Sequence, residues 1–556
     1  MLKYGPGTNP GRLFPFTSGE ALLFNSRCTC RFLRPAQNML FTGSGTFRQI
    51  IMWGDKMLYE STRGQCRKVS SAEAIKMGIA PDGGLFVPCE KVKVSQDQLK
   101  EWAGLDYRGR AVCILKEYLT DFTVDELGTC VSLAYNTSRF DAPEIAPLHK
   151  LEDLLYVLEL WHGPTSAFKD LALQILPRLL TRAVVKTGEE AIIVILVATS
   201  GDTGKAALEG FKDVPGTRII VFYPEQGVSE MQKLQMITQE GNNVAVVAVR
   251  GNFDDAQTGV KNIFGDKLFN QELGVKNFSL TSANSINWGR LAPQIVYYFS
   301  AYLDLVSRGV ITPGDGLNFV VPTGNFGNIL AAYYAREMGL PVNRLICAAN
   351  SNNVLADFIR TGLYDRGRPF QKTISPSMDI LISSNLERLL YHLSGHDAGN
   401  VRSWMADLRQ KGAYRIDDAT HTRIKEIFWS DFADDTATAT AIRSVYKRYN
   451  YLLDTHTAVG LSVYGKYVAA TGDATRTIVA STASPFKFNA SVARAILGED
   501  AVRDKDEFTL LDDLAAASGL EIPAGLKELN TKQVRHRGVT SGEQMRKSVE
   551  TILSPR

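Results

Sequence analysis

The sequence contains no CxxC pair, no HExxH and no His/Cys cluster at ligand spacing. That absence excludes the common zinc patterns, and no metal site is expected. The seven cysteines are odd in number and scattered, which fits a reducing compartment rather than a disulfide framework. An excess of one charge is also lacking: 62 Lys and Arg face 59 Asp and Glu, and no long basic run occurs. A nucleic-acid partner is therefore not expected. No apolar stretch is long enough to span a bilayer, so no membrane role is expected. The most apolar segment, Ala191 to Ala198, has the length of a buried strand. Internal repeats and low-complexity tracts are missing as well.

What remains is the composition of an ordinary enzyme, with 45% hydrophobic and 22% charged residues over 556 positions. A chain of that length divides into roughly three or four structural units. Residues 1–56 carry Lys3, Arg12, Arg27, Arg31, Arg34 and Arg48 against only Glu20 and Asp55. They read as an extension, either unstructured or transit-like; with no sustained helical stripe in it, a cytoplasmic location is expected, organelle import being the alternative. Residues 57–150 read as a small N-terminal domain, with a capped helix at SSAEAIKMG and a Gly turn into a strand at APDGGLFVP.

From residue 151 to 310, strands AIIVILVAT, RIIVFYP and NVAVVAV alternate with amphipathic helices, the signature of parallel βαβ units. A second such run lies in 311–500, with strands LNFVVPTG and RLICAAN around the helix ILAAYYAREMG. Within it, residues of about 380–450 read as a helical insertion packing on the outside, with its charges solvated and no catalytic role. Residues 501–556 read as a peripheral tail. The expected fold is α/β, with two open α/β domains around a cleft. Ligands in such folds bind beyond the carboxyl ends of the strands.

Five segments lie where that cleft should be. WHGPTSAFKD places Lys169 between Phe168 and Asp170, and a lysine amine fixed at one spot can form a Schiff base with an aldehyde cofactor. VPTGNFGN is a glycine-rich turn between strand and helix, able to hold a phosphate on backbone N–H groups, although many such turns use glycine for packing alone. ATSGDTG suits a carboxylate through its hydroxyls and helix dipole, yet Ser200 or Thr203 would serve equally as a plain N-cap. Asp202 would repel an anionic substrate unless it turns away or bonds the cofactor. NSINWGR groups Asn284, Ser285, Asn287 and Arg290, either a phosphate grip or a structural turn. STASPFKF offers the Thr482 hydroxyl to a pyridine nitrogen.

Together with YESTRG and APDGGLFVP, these segments stand in the order found in threonine synthases, and from about Met57 to Phe488 the chain resembles that family. The resemblance implies the fold-type II architecture, similar to the tryptophan synthase β chain, and pyridoxal 5'-phosphate as cofactor. It implies that Lys169 carries the cofactor beside Phe168, that Gly324, Asn325, Phe326, Gly327 and Asn328 hold its phosphate, and that Thr482 meets its ring nitrogen. Ser200, Asp202 and Thr203 are then expected near the substrate carboxylate and the cofactor O3′, with Asn284, Ser285 and Arg290 facing the substrate phosphate. The implied activity converts O-phospho-L-homoserine and water into L-threonine and phosphate. A threonine-synthase-like phospholyase, releasing phosphate, ammonia and a 2-oxo acid, needs the same residues; a remote third reading is a non-catalytic relative that only binds the cofactor. Two positions depart from parts of the family: Asp202 stands where Asn is common, and Ser484 where some members have His. Sequence leaves monomer and homodimer equally open.

Overall fold

The computed structural model describes residues 56–554 apart from Ser200 and Gly227, so the extension lies outside the described residues. Near the start, β1 (Tyr59–Ser61) and β2 (Phe86–Pro88) pair antiparallel. Three helices here begin at capping boxes, Ser70 with Glu73, Ser95 with Gln98 and Thr123 with Glu126, each satisfying two N–H groups that a helix end leaves open.

The hairpin β3 (Leu148–Glu152) and β4 (Leu155–Glu159) follows, then β5 (Ile192–Ala198), β6 (Thr217–Pro224), β7 (Val244–Arg250) and β8 (Phe278–Thr281). Next come β9 (Leu317–Pro322), β10 (Val342–Ala349), the short pair β11 (Leu363–Asp365) and β12 (Ala413–Arg415), β13 (Phe428–Phe432), β14 (Thr477–Ser481) and β15 (Gly538–Ser541). They form two main sheets. One has the order β15-β7-β6-β5-β8 and is wholly parallel. The other has the order β13-β10-β9-β14-β4-β3 and is parallel except at the β3–β4 hairpin. The strands are apolar runs because parallel strands bury both faces.

The helix Trp288–Ser307 is buried nearly all round, as its near-continuous apolar sequence requires. Trp288 at its start packs against Tyr59, Tyr118 and Tyr334, with ring centroids 5.2–5.4 Å apart. No helix among the described residues is long and apolar enough to cross a membrane.

Three sequence expectations change. The segment of about 380–450 does form helices, including Leu386–Leu393 and Ala398–Gln410, but it also supplies β13, which extends the six-stranded sheet beside β10. Its charges are not all solvated either, since Arg388 is fully buried and Glu387 nearly so. The tail is no appendage: β15 adds a parallel edge to β7, and Met545, Val549 and Leu553 of the last helix enter the apolar cluster on that sheet. Finally, β4 sits in the sheet of the later α/β run, next to β14, so the boundary at 151 cuts across a strand set. These changes come from contacts between segments distant in sequence, strand pairings among them, which periodicity does not report.

Candidate active site

Lys169 opens the short helix Lys169–Leu173, in the loop after β4. That loop is stitched to the end of β14. Phe168 N–H donates to the Thr482 carbonyl at 2.9 Å, and Ser484 N–H donates to the Ser166 carbonyl at 3.0 Å. Behind the lysine, the Asp170 carboxylate accepts Thr165 N–H and the Thr165 hydroxyl, both at 2.8 Å. Burial nevertheless pushes the Asp170 carboxyl up to about 6.

The Lys169 side chain is 11% exposed; its Nζ lies over the Phe168 ring, 5.3 Å from the centroid, and 3.0 Å from Asp202 Oδ2. Burial lowers the lysine pKa against the pull of Asp202, and the charges of Lys487 and Arg290 lower it further. An amine shifted toward its neutral form is the nucleophilic one.

Asp202 starts the helix Asp202–Phe211 and is the electrostatic hub. Besides Lys169 it meets Lys487 Nζ at 3.2 Å, Gln232 Nε2 at 2.9 Å and the Ser377 hydroxyl at 2.8 Å. Burial alone would raise its pKa, but Lys169 and Lys487 hold it well below the ordinary carboxylate range. The fear that it repels an anionic ligand is thus answered by two ammonium groups. Gly201 makes the approach possible: its φ is +144°, and a Cβ there would lie 2.5 Å from the Gln232 amide carbon.

Two cradles for anions adjoin this hub. The first is the turn between β9 and the helix Gly327–Met338, which begins without a side-chain cap and so leaves first-turn N–H groups for a ligand. Asn328 is buried there; its Oδ1 accepts the Tyr297 and Tyr298 hydroxyls at 2.5 and 2.6 Å, while its Nδ2 has no partner. A Cβ on Gly327 would stand 3.5 Å from Asn385 Nδ2, 3.8 Å from Ser285 Cβ and 3.9 Å from Gln294 Nε2, so polar residues line that glycine, the two amides each also donating to a backbone carbonyl. An orphaned amide beside the uncapped N–H groups of a helix end fits a phosphate group.

The second cradle is Arg290. Its guanidinium is buried and donates to one protein acceptor, the Ala283 carbonyl at 2.8 Å; no carboxylate pairs with it among the described residues. Burial alone brings its pKa down to about 10. Asn284 and Ser285, half-buried beside it, form no side-chain hydrogen bond among the described residues.

Of the other expected residues, Ser200 lies outside the described ones. Thr203 is half-buried, and Thr482 is buried with no partner for its hydroxyl among the described residues. Asn325 is exposed, while the Phe326 ring turns into the core against Phe428, so Phe326 can serve a phosphate only through its backbone. Phe326 adopts a left-handed φ of +63°, a strained setting for an aromatic residue.

Asn287 requires a correction. Its Nδ2 donates to the Ile75 and Ser282 carbonyls and its Oδ1 caps Gly289 N–H, so it anchors the helix and offers a ligand nothing.

Sequence reasoning missed Lys487, Gln232, Ser377, Asn385 and Arg388. Lys487 stood inside the quoted STASPFKF, and its position two residues after a proline at a strand end was the available signal. Ser383 and Asn385 bind the Gly324 and Asn325 carbonyls, and Arg388 binds Asn385 Oδ1 at 2.6 Å. The contacts to Gly324 and Asn325 span about sixty residues in sequence and had no local signature, although Arg388 and Asn385 are only three residues apart.

Three family models match the chain: "Threonine synthase N terminus" over residues 58–135, "Pyridoxal-phosphate dependent enzyme" over 132–422, and "Threonine synthase, C-terminal" over 457–549. Human threonine synthase-like 1 is 41% identical over 77% of this chain, which spans 59% of that relative's length. Threonine synthase of Pseudomonas aeruginosa is 39% identical over 80% of this chain and 91% of its own. Among solved structures, PLP-bound threonine synthase from Brucella melitensis superposes with a TM-score of 0.79 at 35% identity, covering 90% of this chain and 100% of that one. With the matched domains in the same order as the strands and loops that build the site, the chain belongs to the threonine synthase family of pyridoxal-phosphate-dependent enzymes.

Proposed function

We propose that this chain converts O-phospho-L-homoserine and water into L-threonine and phosphate. The observation that carries the reading is Arg290: a buried guanidinium without a carboxylate is costly unless a ligand anion completes it. The Gly327 helix end accounts for one phosphate and Arg290 for a second. A phosphorylated cofactor with a phosphorylated substrate is what two such cradles suit.

Bound pyridoxal phosphate would supply an aldehyde for amine capture and an electron sink. Its phosphate fits the Gly324–Asn328 turn, its ring nitrogen the Thr482 hydroxyl, and its aldehyde the Lys169 amine. The chain's own residues do the rest. With its amine free, Lys169 Nζ can take the Cα proton, remove the Cβ proton and return one at Cγ; the other proton leaves with the phosphate, and water then places its hydroxyl on Cβ and its proton on Cα, which gives threonine. Its depressed pKa suits an amine that must alternately accept and donate. Arg290, with Asn284 and Ser285, holds the γ-phosphate and stabilises the charge that builds as the C–O bond breaks. Asp202 stays ionised while Lys169 changes charge, because Lys487 remains as a counterion, 3.2 Å away and fully buried. Thr203 lies at the helix start suited to the substrate carboxylate.

Incubating the protein with O-phospho-L-homoserine and identifying the products tests this reading. Threonine and phosphate in equal amounts are expected, with Lys169→Ala inactive. 2-Oxobutyrate with ammonia in place of threonine would assign the phospholyase outcome, and no phosphate release would sink both.

A further inference from the structure

The helix that begins at Lys169 continues beyond the active site. Gln174 and Ile175 keep helical backbone angles and lead into the helix Leu176–Lys186. Gln174, Arg178 and Arg182 are spaced four apart and so share a face. Arg139, from the loop after the helix Val124–Ala134, joins them and donates its Nη1 to Gln174 Oε1 at 2.8 Å.

What marks this cluster is that three arginines without an acid stand together around one buried amide. None of the three arginines forms an ion pair among the described residues, and the nearby Glu126 is taken by Lys186 at 2.7 Å. Two donors are buried without a partner, Gln174 Nε2 and Arg178 Nε, and Gln174 is only 3% exposed. Burial first, and then the charge of Arg139, lower the Arg178 pKa, so the two guanidiniums repel at short range. The Cys130 thiol beside them supplies no compensating charge, because burial pushes it up to about 11. Arg546, by contrast, is paired with Asp266 and Glu272, although the exposed Arg250 and Arg409 also lack an acid among the described residues.

We propose that Arg139, Gln174, Arg178 and Arg182 form a binding site for a multiply charged oxyanion of the phosphate class, separate from Arg290 and the glycine-rich turn. A single carboxylate would engage one guanidinium fork, whereas a tetrahedral dianion offers acceptors to several guanidiniums and to the Gln174 amide at once. The site is one helical turn from the catalytic lysine: Gln174 N–H donates to the carbonyl of Asp170, the residue after Lys169, at 2.9 Å. It stands independently of the reaction assigned to the chain.

The test is calorimetric titration of the full chain with its cofactor bound, in phosphate-free chloride buffer, using inorganic phosphate and separately a nucleoside triphosphate. Arg290→Met serves as the starting protein, so that binding at the active site is removed. Phosphate or triphosphate binding should persist in it and weaken about tenfold or more when Arg178→Met or Arg139→Met is added, with Arg178→Lys intermediate. Tighter phosphate marks free phosphate as the source, and tighter triphosphate a nucleotide. In buffer without either anion, Arg178→Met should melt at the same or a higher temperature, since it relieves repulsion. No binding of either anion to the Arg290→Met protein, or affinity unchanged by both cluster variants, overturns the proposal. So does a lowered melting temperature with unchanged affinity, which marks the cluster as structural.

Discussion

Arg290 and Arg388 are both buried and both brought to about 10 by burial, yet they stand in different regions and are treated differently. Arg388 donates to the Phe86 carbonyl at 2.9 Å, to Asn385 Oδ1 at 2.6 Å and to the Ile286 carbonyl at 2.6 Å. It thereby bolts the N-terminal strand β2, the segment before the long central helix and the brace of the glycine-rich turn. Arg290 has the Ala283 carbonyl alone. A buried cation whose three nitrogens all donate is a fastener, while one with a single protein acceptor is waiting for an anion. The partner count separates the two roles where burial and pKa do not.

Replacing each arginine by methionine should pull the two roles apart. Arg290→Met is expected to lower kcat/KM for the phosphorylated substrate about 10³-fold, about 4 kcal/mol, with little change in melting temperature. Equal loss on an unphosphorylated amino acid in steady-state kinetics would erase the distinction. Arg388→Met should instead cost stability, about 3 kcal/mol in urea unfolding, because three buried acceptors lose their donor. Its kinetic effect should be the smaller of the two.

Lys487 tests the comparison from the charged side, since its ammonium is buried but fully matched to Asp202 and the Thr165 carbonyl. Lys487→Met should cost about 2 kcal/mol, less than a fully broken buried pair, because Lys169, Gln232 and Ser377 still hold Asp202. Adding Asp202→Asn should recover part of that stability, measured as a double-mutant cycle.

His162 gives the smallest effect and a pH signature. It bridges Asp141 at 2.6 Å and Glu159 at 2.9 Å. Burial lowers its pKa, but those two carboxylates outweigh it and raise the imidazole to about 9 from 6.5. A raised folded-state pKa means stability fully present below pH 6.5 and lost as pH rises through about 9. With Asp141 largely exposed and screened, the loss should be about 1 kcal/mol. Unfolding free energies at both ends of that range, compared with His162→Gln, check it; identical pH dependence in both proteins would refute the bridge.

Much of the site was readable before any coordinates. Lys169, the glycine-rich turn and Arg290 were singled out because each stands in a short motif whose residue types carry their chemistry locally, although only the glycine-rich turn follows directly on a strand. Asn287 was misread for the same reason: in an Asn/Ser-rich turn, a capping amide and a ligand-facing amide look alike until their partners are seen. Lys487, Ser377 and Asn385 stayed hidden because their contacts lie far off in sequence.

The sequence by itself determined the alternation of strands and helices and the family, and it singled out the candidate lysine, since hydrophobic period, turn residues and motif order are carried along the chain. Only the tertiary structure decided which charges cancel. Asp202 is neutralised by Lys169 and Lys487, Arg388 is satisfied, and Arg290 and the Arg139–Arg178 pair are left without acids. Electrostatic energy depends on distance and burial, and neither is written in the order of residues.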